Sequence, residues 1–355
     1  MRIQSATITI LAFVLSLCAA ALQADETVSW QERSGHRMVA FQEALFITGG
    51  LYAFEKNFFF NDVWTSSNGA TWSRIETESP YTPSRQLHAC MVFQDNIWVM
   101  GGQSSEYLND VWRSANGQDW EAVATSAPWT PRRGMAAVVH NNRMFIMGGE
   151  NSAREYNNDV WASEDGATWE LLTGNPGWRP RWEHAAVSFN NAIYVLGGAA
   201  EYGKHNDVWR SSDGITWTQI GTLPVAVRGH CVEVFKDNII MFGGVDADDK
   251  LLNEVWSSPD GVTWTIAEDY ALWSGRERHA SAVFNKRLWL AGGTTEDGDS
   301  NDVWFSRDGT EWQATTESTG CGCSCDSADA KSWRSFLGDV LLLGVSLLVL
   351  LRYKR

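Results

Sequence analysis

The chain has 355 residues, room for one large or two ordinary domains, and its 20 Trp and 31 Gly against 8 Pro favour many short strands over long helices. Its 28 Lys and Arg face 43 Asp and Glu, a net charge of -15. A surface that acidic repels phosphate backbones, which excludes nucleic acid as a partner.

Residues 1–24 combine Arg2, an apolar run from Ile8 to Ala21 and small residues before Asp25. This is the pattern of a signal peptide, so the expectation is export with cleavage after Ala21 or Ala24. A lipoprotein reading at Cys18 is disfavoured, because Leu17 is bulkier than the residue such a site takes before its Cys.

A Gly-Gly pair then recurs at Gly49, Gly101, Gly148, Gly197, Gly243 and Gly292, at intervals of 46–52 residues. Thirteen residues before each pair stands His36, His88, Met135, His184, His230 or His279. The apolar segments inside this constant interval, such as 136–139 and 144–147 around Asn141-Asn142, read as a hairpin. After a gap of variable length comes Asn61-Asp62-Val63-Trp64 and its equivalents ending at Trp112, Trp161, Trp209, Trp256 and Trp304, with Glu254 replacing Asp in the fifth. Five residues on is a turn Gly, and three further a second Trp, from Gly69 and Trp72 to Gly309 and Trp312. Four antiparallel strands per unit and six units predict an all-β, six-bladed β-propeller over 27–317, a radial array that hides most strand edges. The ring closes either on the strands of blade six or through Thr27-Val28-Ser29-Trp30, which resembles another fourth strand; the first is favoured.

The Gly-Gly after an apolar strand and the spaced Trp resemble kelch repeats over four-fifths of the chain, in a variety with Asn-Asp-Val-Trp and Asp-Gly-x-Thr-Trp that looks bacterial. The resemblance implies a fold and not a function, since kelch propellers bind many unrelated things.

Five His at one repeat position suggest a metal ring, but equivalent residues sit at equal radius around the axis, and Met135 breaks the series. The chain also lacks a local cluster for the copper chemistry of galactose oxidase, another kelch-type propeller. No metal or cofactor and no catalytic set is expected. Cys90 and Cys231 fall in blades two and five, too far apart to pair, and read as buried thiols.

The inter-blade loops share a face with the loops joining strands two and three. They carry Tyr81 and Arg85, Trp129 with Arg132 and Arg133, Trp178 with Arg179 and Arg181, Arg228, and Trp273 with Arg276 and Arg278. Such a rim suits a sugar or a carboxylate, so Tyr81, Arg85, Trp129, Arg132, Trp178, Arg181, Arg228, Trp273 and Arg276 are the candidate ligand-binding residues. The competing reading has each Arg pair with the Asp of a neighbouring blade's Asn-Asp-Val-Trp. Blade one adds Tyr52, Phe54, Phe58, Phe59 and Phe60, an apolar patch. The acidic loops Asp246, Asp248, Asp249 and Glu296, Asp297, Asp299 have Ca²⁺-type oxygens but read better as solvated loops.

Residues 318–335 form a polar linker with Cys321, Cys323 and Cys325, and 336–355 an apolar helix ending in Arg352-Tyr353-Lys354-Arg355. Sixteen helical residues reach roughly 24 Å against ~30 Å of hydrocarbon, so an ordinary span is marginal. The tail is similar to the Cys-containing C-terminal surface-sorting signals of the myxobacterial type. That resemblance implies processing or lipidation at Cys321, Cys323 or Cys325; the alternatives are a plain membrane anchor or a thiolate metal site. The expectation is a monomeric propeller anchored at the cell envelope that binds a protein or glycan. The alternative is a periplasmic carbohydrate-active enzyme resembling the sialic acid mutarotases, in which Arg holds a sugar carboxylate.

Overall fold

The computed structural model describes residues 30–53, 58–77 and 80–315. The leader at 1–24 and the tail with Cys321, Cys323 and Cys325 lie outside the described residues.

Each repeat folds into a four-stranded antiparallel sheet with strands in sequence order, to which blade three adds the two-residue strand Arg132–Arg133. Blade one is Arg37–Phe41, Ala44–Thr48, Val63–Ser66 and Ser73–Ile75; blade two is Ala89–Phe93, Asn96–Gln103, Tyr107–Ser114 and Glu121–Ala124. Blade three is Ala136–His140, Arg143–Asn151, Tyr156–Ser163 and Glu170–Thr173; blade four is Ala185–Phe189, Ala192–Leu196, Asp207–Ser211 and Thr218–Thr222. Blade five is Cys231–Phe235, Asn238–Phe242, Val255–Ser258 and Thr265–Glu268; blade six is Ala280–Phe284, Arg287–Thr295, Gly298–Ser306 and Trp312–Ala314. The first strands adjoin in cyclic order around the axis, the sixth blade's against the first's. No helix occurs among the described residues.

The constant interval of thirteen residues has a steric cause. The first Gly of each pair lies under the His or Met of the following blade: a Cβ on Gly49 would stand 2.9 Å from the His88 ring, and one on Gly292 would stand 2.7 Å from His36. The second Gly lies against the His of its own blade, with 2.8 Å from a Gly102 Cβ to the His88 Cβ. Both glycines have positive φ, so side chains are excluded twice over, by space and by backbone. Six such contacts, the last from blade six to blade one, lock neighbouring hairpins into one register.

The ring therefore closes without sharing a strand, since blades one and six each possess their own fourth strand. Trp30 is not a strand-four residue. It begins the segment leading into blade one, where it packs edge-on against Trp72 at 6.4 Å. The Arg33 amide bonds the Ser300 carbonyl of blade six at 3.0 Å.

The outer turns repeat as well. Ser66 Oγ accepts the Gly69 amide at 2.8 Å, Asn68 accepts the next two amides, and Trp72 Nε1 donates to the Gly69 carbonyl at 3.0 Å. The Ser, Asp/Asn and Gly contacts recur at each three-to-four turn, and the indole bond recurs in blades two to five. This accounts for the fixed spacing of the second Trp.

Candidate functional site at the axial mouth

The Trp-x-x-Arg segments between blades fold back onto the blade they enter. Arg181 is fully buried and its guanidinium grips Asp207 with both nitrogens, at 2.6 and 2.8 Å. It also donates to the carbonyls of Gly197 and Arg179. Arg33, Arg85, Arg132 and Arg276 repeat this with Asp62, Asp110, Asp159 and Asp302. The Asp is thus in the blade that the Arg leads into.

Asn-Asp-Val-Trp is explained residue by residue. In blade three the Asn158 amide donates to the Trp178 carbonyl at 3.0 Å, Asp159 takes Arg132 and the Trp161 indole, and Val160 is buried. The loop aromatics have an equally internal place: Tyr81, Trp129, Trp178 and Trp273 are 0–1% exposed. Trp129, Trp178 and Trp273 pack edge-on against Trp169, Trp217 and Trp312, and Tyr81 packs on Trp120. The expectation of an exposed rim is corrected for Tyr81, Arg85, Trp129, Arg132, Trp178, Arg181, Trp273 and Arg276. Their side chains lie inside the wall and not on the face.

Blade five departs at every position of this unit together. Leu223 stands for the Trp, Val227 for the Arg and Glu254 for the Asp, and Leu223 and Val227 are buried. Arg228, the remaining candidate, is one residue further on and faces the axis.

There a second repeat feature forms the mouth. Gly35, Leu87, Gly134, Glu183, Gly229 and Arg278 each donate their amide to the carbonyl of the residue one blade back, in a closed belt of 2.7–3.0 Å hydrogen bonds. All six have φ between +48° and +64°. At three of them the backbone uses Gly; at the other three it carries a side chain despite a cost of roughly 1–2 kcal/mol each. Two of those side chains, Glu183 and Arg278, are ionised groups at the centre of the face.

Glu183 is nearly fully enclosed, and its oxygens receive Arg278 at 2.6 Å and Arg228. Burial acts to raise this carboxyl, but Arg278 and Arg228 outweigh it and hold it below the usual carboxylate range. Arg228 also reaches Glu277 at 2.8 Å, where burial wins and the Glu277 carboxyl is raised. Arg133 pairs with Glu150 at 2.7 Å and bonds Gln103. Between them lies Trp182, with the guanidinium carbons of Arg133, Arg228 and Arg278 at 4.9, 5.7 and 5.8 Å from its ring centre. The three arginines remain 19–26% exposed. The mouth is therefore a flat aromatic plate ringed by oriented, partly open cations with a buried carboxylate beneath.

Trp182, Glu183 and Glu277 were not singled out from sequence. The available signal was positional: Leu87, Glu183 and Arg278 replace a belt residue that is Gly in the other three blades.

Other candidates fall elsewhere. Phe60 is buried and stacks on Arg33 at 3.8 Å, Phe58 is exposed, and Phe54 lies outside the described residues. Asp246 caps the amides of Asp248 and Lys250, Asp249 pairs with Lys204, and Asp299 accepts the Ala53 amide. Among the described residues no three His, Cys, Asp or Glu stand together as metal ligands. The repeat-position histidines pack singly between blades, and burial pushes His230 down to about 4 and His279 to about 3, so both are neutral. Cys90 and Cys231 are free thiols partly open to the axial channel, with pKa values pushed by burial up to about 12.

The family model for the KLHDC2/KLHL20/DRC7 Kelch-repeats domain matches residues 114–222. The match supports a kelch-repeat protein. The matched stretch runs from the end of the third strand of blade two through blade four, and blades one and six repeat its Arg-Asp contact while blade five does not. No curated protein matches the chain. Kelch propellers generally mediate protein interactions, which is consistent with a protein-binding scaffold.

Proposed function

We propose that this kelch-repeat propeller is an exported, envelope-anchored binding module that takes a protein ligand on the face around the axial mouth. The observation that carries this reading is the Trp182 plate with Arg133, Arg228 and Arg278 around it. Aromatic and Arg side chains of this kind anchor interfaces because they combine apolar area with fixed donors. Exposed Tyr202 in the strand two-to-three loop of blade four, and Tyr270 and Leu272 after blade five, add apolar contact area on the same face. The net charge of -15 and the mouth cations suit a partner that brings acidic groups to the centre and tolerates an acidic rim.

The test compares Trp182→Ala with Ile215→Ser, a change on the opposite face, for binding of envelope proteins crosslinked to the purified propeller. A crosslinked partner lost with the first and kept with the second supports the reading; equal capture by both removes the mouth from it.

Export and anchorage rest on residues 1–24 and the tail. In this reading Cys321, Cys323 or Cys325 is processed and holds the protein at the membrane, with the basic end inward. Cells carrying Cys321→Ala, Cys323→Ala and Cys325→Ala together should release the propeller or retain it unprocessed. Unchanged fractionation and unchanged mass would reject the sorting role.

A further inference from the structure

Beneath the belt, the first strands enclose an axial channel of about 530 Å³, within the range of small-ligand sites. Its wall is mostly small or aliphatic, because five of the six residues following the repeat His or Met are Ala89, Ala136, Ala185, Cys231 and Ala280. The sixth is Arg37. One long cation thus projects where five equivalents leave space.

That cation has almost nothing to hold. Nη1 donates to the His36 carbonyl at 3.1 Å, and among the described residues it forms no ion pair, unlike Arg33, Arg85, Arg132, Arg181 and Arg276. Burial lowers its pKa, with only weak compensation from Cys231, Cys90 and Glu183. The two thiols are neutral, and Glu183 is committed to Arg228 and Arg278. A half-buried guanidinium turned into the channel without a protein anion leaves its fork open, and a planar carboxylate satisfies that fork with two charge-assisted bonds.

We infer that the axial channel is a binding site for a small-molecule carboxylate, held by the Arg37 guanidinium. Deeper in the same channel Glu233 takes a 2.7 Å bond from the Ser281 hydroxyl, and burial raises its carboxyl to about 7. Below that pH it is a neutral donor for a second oxygen of the ligand. Above it, a second negative charge enters the channel and opposes the ligand. The other ionisable groups facing Glu233 are His184 and His279 on the flanking first strands, His230 and Cys231 on its own, Cys90 and Arg37 across the axis, and Glu183 and Arg278 at the belt. The lowered histidines are neutral and the thiols protonated over this range, so Glu233 sets the pH response.

The experiment titrates the purified full chain with sodium benzoate by calorimetry at fixed ionic strength, with benzyl alcohol as the uncharged counterpart. Saturable benzoate binding with Kd below about 1 mM, no benzyl alcohol binding, and a loss of about tenfold or more in Arg37→Met with none in the exposed Arg179→Gln are expected. Affinity should fall between pH ~6 and ~8, and Glu233→Gln should flatten that fall. Absence of saturable binding, or equal binding by Arg37→Met, overturns the site. An acidic hexapeptide that binds through Arg37 while benzoate does not also overturns it, because the carboxylate would then belong to a polypeptide. Should Arg37→Met fail to fold, wild-type crystals soaked in 4-iodobenzoate decide: an iodine peak in the channel beside Arg37 supports the site, and iodine only elsewhere rejects it.

Discussion

Replacing Arg181 by Val imposes on blade four half of what blade five carries at Val227 and Glu254. It removes the bidentate grip on Asp207, the bond to Gly197 O at 2.8 Å and the bond to Arg179 O at 3.0 Å. It also removes a cation stacked 5.6 Å from the Trp178 ring centre. Asp207 keeps only the Trp209 indole, at 2.7 Å, on one oxygen. Orphaning one member of a buried pair costs about 3–5 kcal/mol, and because the Asp207 side chain is 20% exposed the lower end applies. At about 2 °C per kcal/mol for a domain of this size, Tm should drop by about 6 °C. The decisive comparison is a double-mutant cycle in urea. In an Asp207→Asn background the Arg is itself the uncompensated charge, so Arg181→Val should then cost at least ~1 kcal/mol less than in wild type. Equal costs in the two backgrounds would mean that Arg181 acts by packing alone, and the account of the Trp-x-x-Arg unit as an ion-pair clamp would be lost.

Two further perturbations probe the ring. Burial holds His36, His88, His184, His230 and His279 below their ordinary pKa, so the unfolded chain binds protons below about pH 6.5 that the native chain does not. Glu233 and Glu277 are raised and act in the opposite sense. With His205, which burial also lowers, six histidines against two glutamates leave a net uptake of about three to four protons on unfolding, so urea-measured stability should fall by ~4–5 kcal/mol per unit as pH drops from about 6 to 5; a flat profile would refute the buried neutral set. Gly197→Ala places a Cβ 2.7 Å from the Val227 carbonyl at φ +59° and should destabilise by more than about 2 kcal/mol, while Gly174→Ala meets nothing within 4 Å and should stay within ~0.5 kcal/mol. Thermal scans of the two variants check this, and similar Tm values would refute the Gly-His lock.

The blade architecture was legible because its causes are local and repeated. Gly-Gly, the His or Met thirteen residues earlier and the two Trp positions each reflect one contact made again in every blade. The inter-blade loops were misleading for a related reason. Trp178-Arg179-Pro180-Arg181 has the composition of an exposed recognition loop, and burial arises only when the chain turns back onto the next sheet. Sequence held a clue to that as well: Leu223, Val227 and Glu254 change together in blade five, as three parts of one packing unit would. Glu183 and Arg278 were harder to read, since their importance depends on a backbone belt between residues about fifty apart in the chain.

In a propeller, what repeats is what closure demands, so chemistry must be sought where the repeat is broken at a cost. Closure needs a left-handed residue at each belt position and is satisfied by Gly35, Gly134 and Gly229; Leu87, Glu183 and Arg278 accept strain that closure alone does not require. Five blades place a small residue after the repeat His or Met, and Arg37 is the exception, a half-buried charge with no ion pair among the described residues. Met135 and the Leu223-Val227 unit also break the repeat, yet each replaces one packing group by another and leaves no unpaired charge or strained backbone behind. The costly exceptions converge on the axis, at the mouth and just below it. That convergence is the physical reason for placing recognition there and not on the more conspicuous aromatic loops.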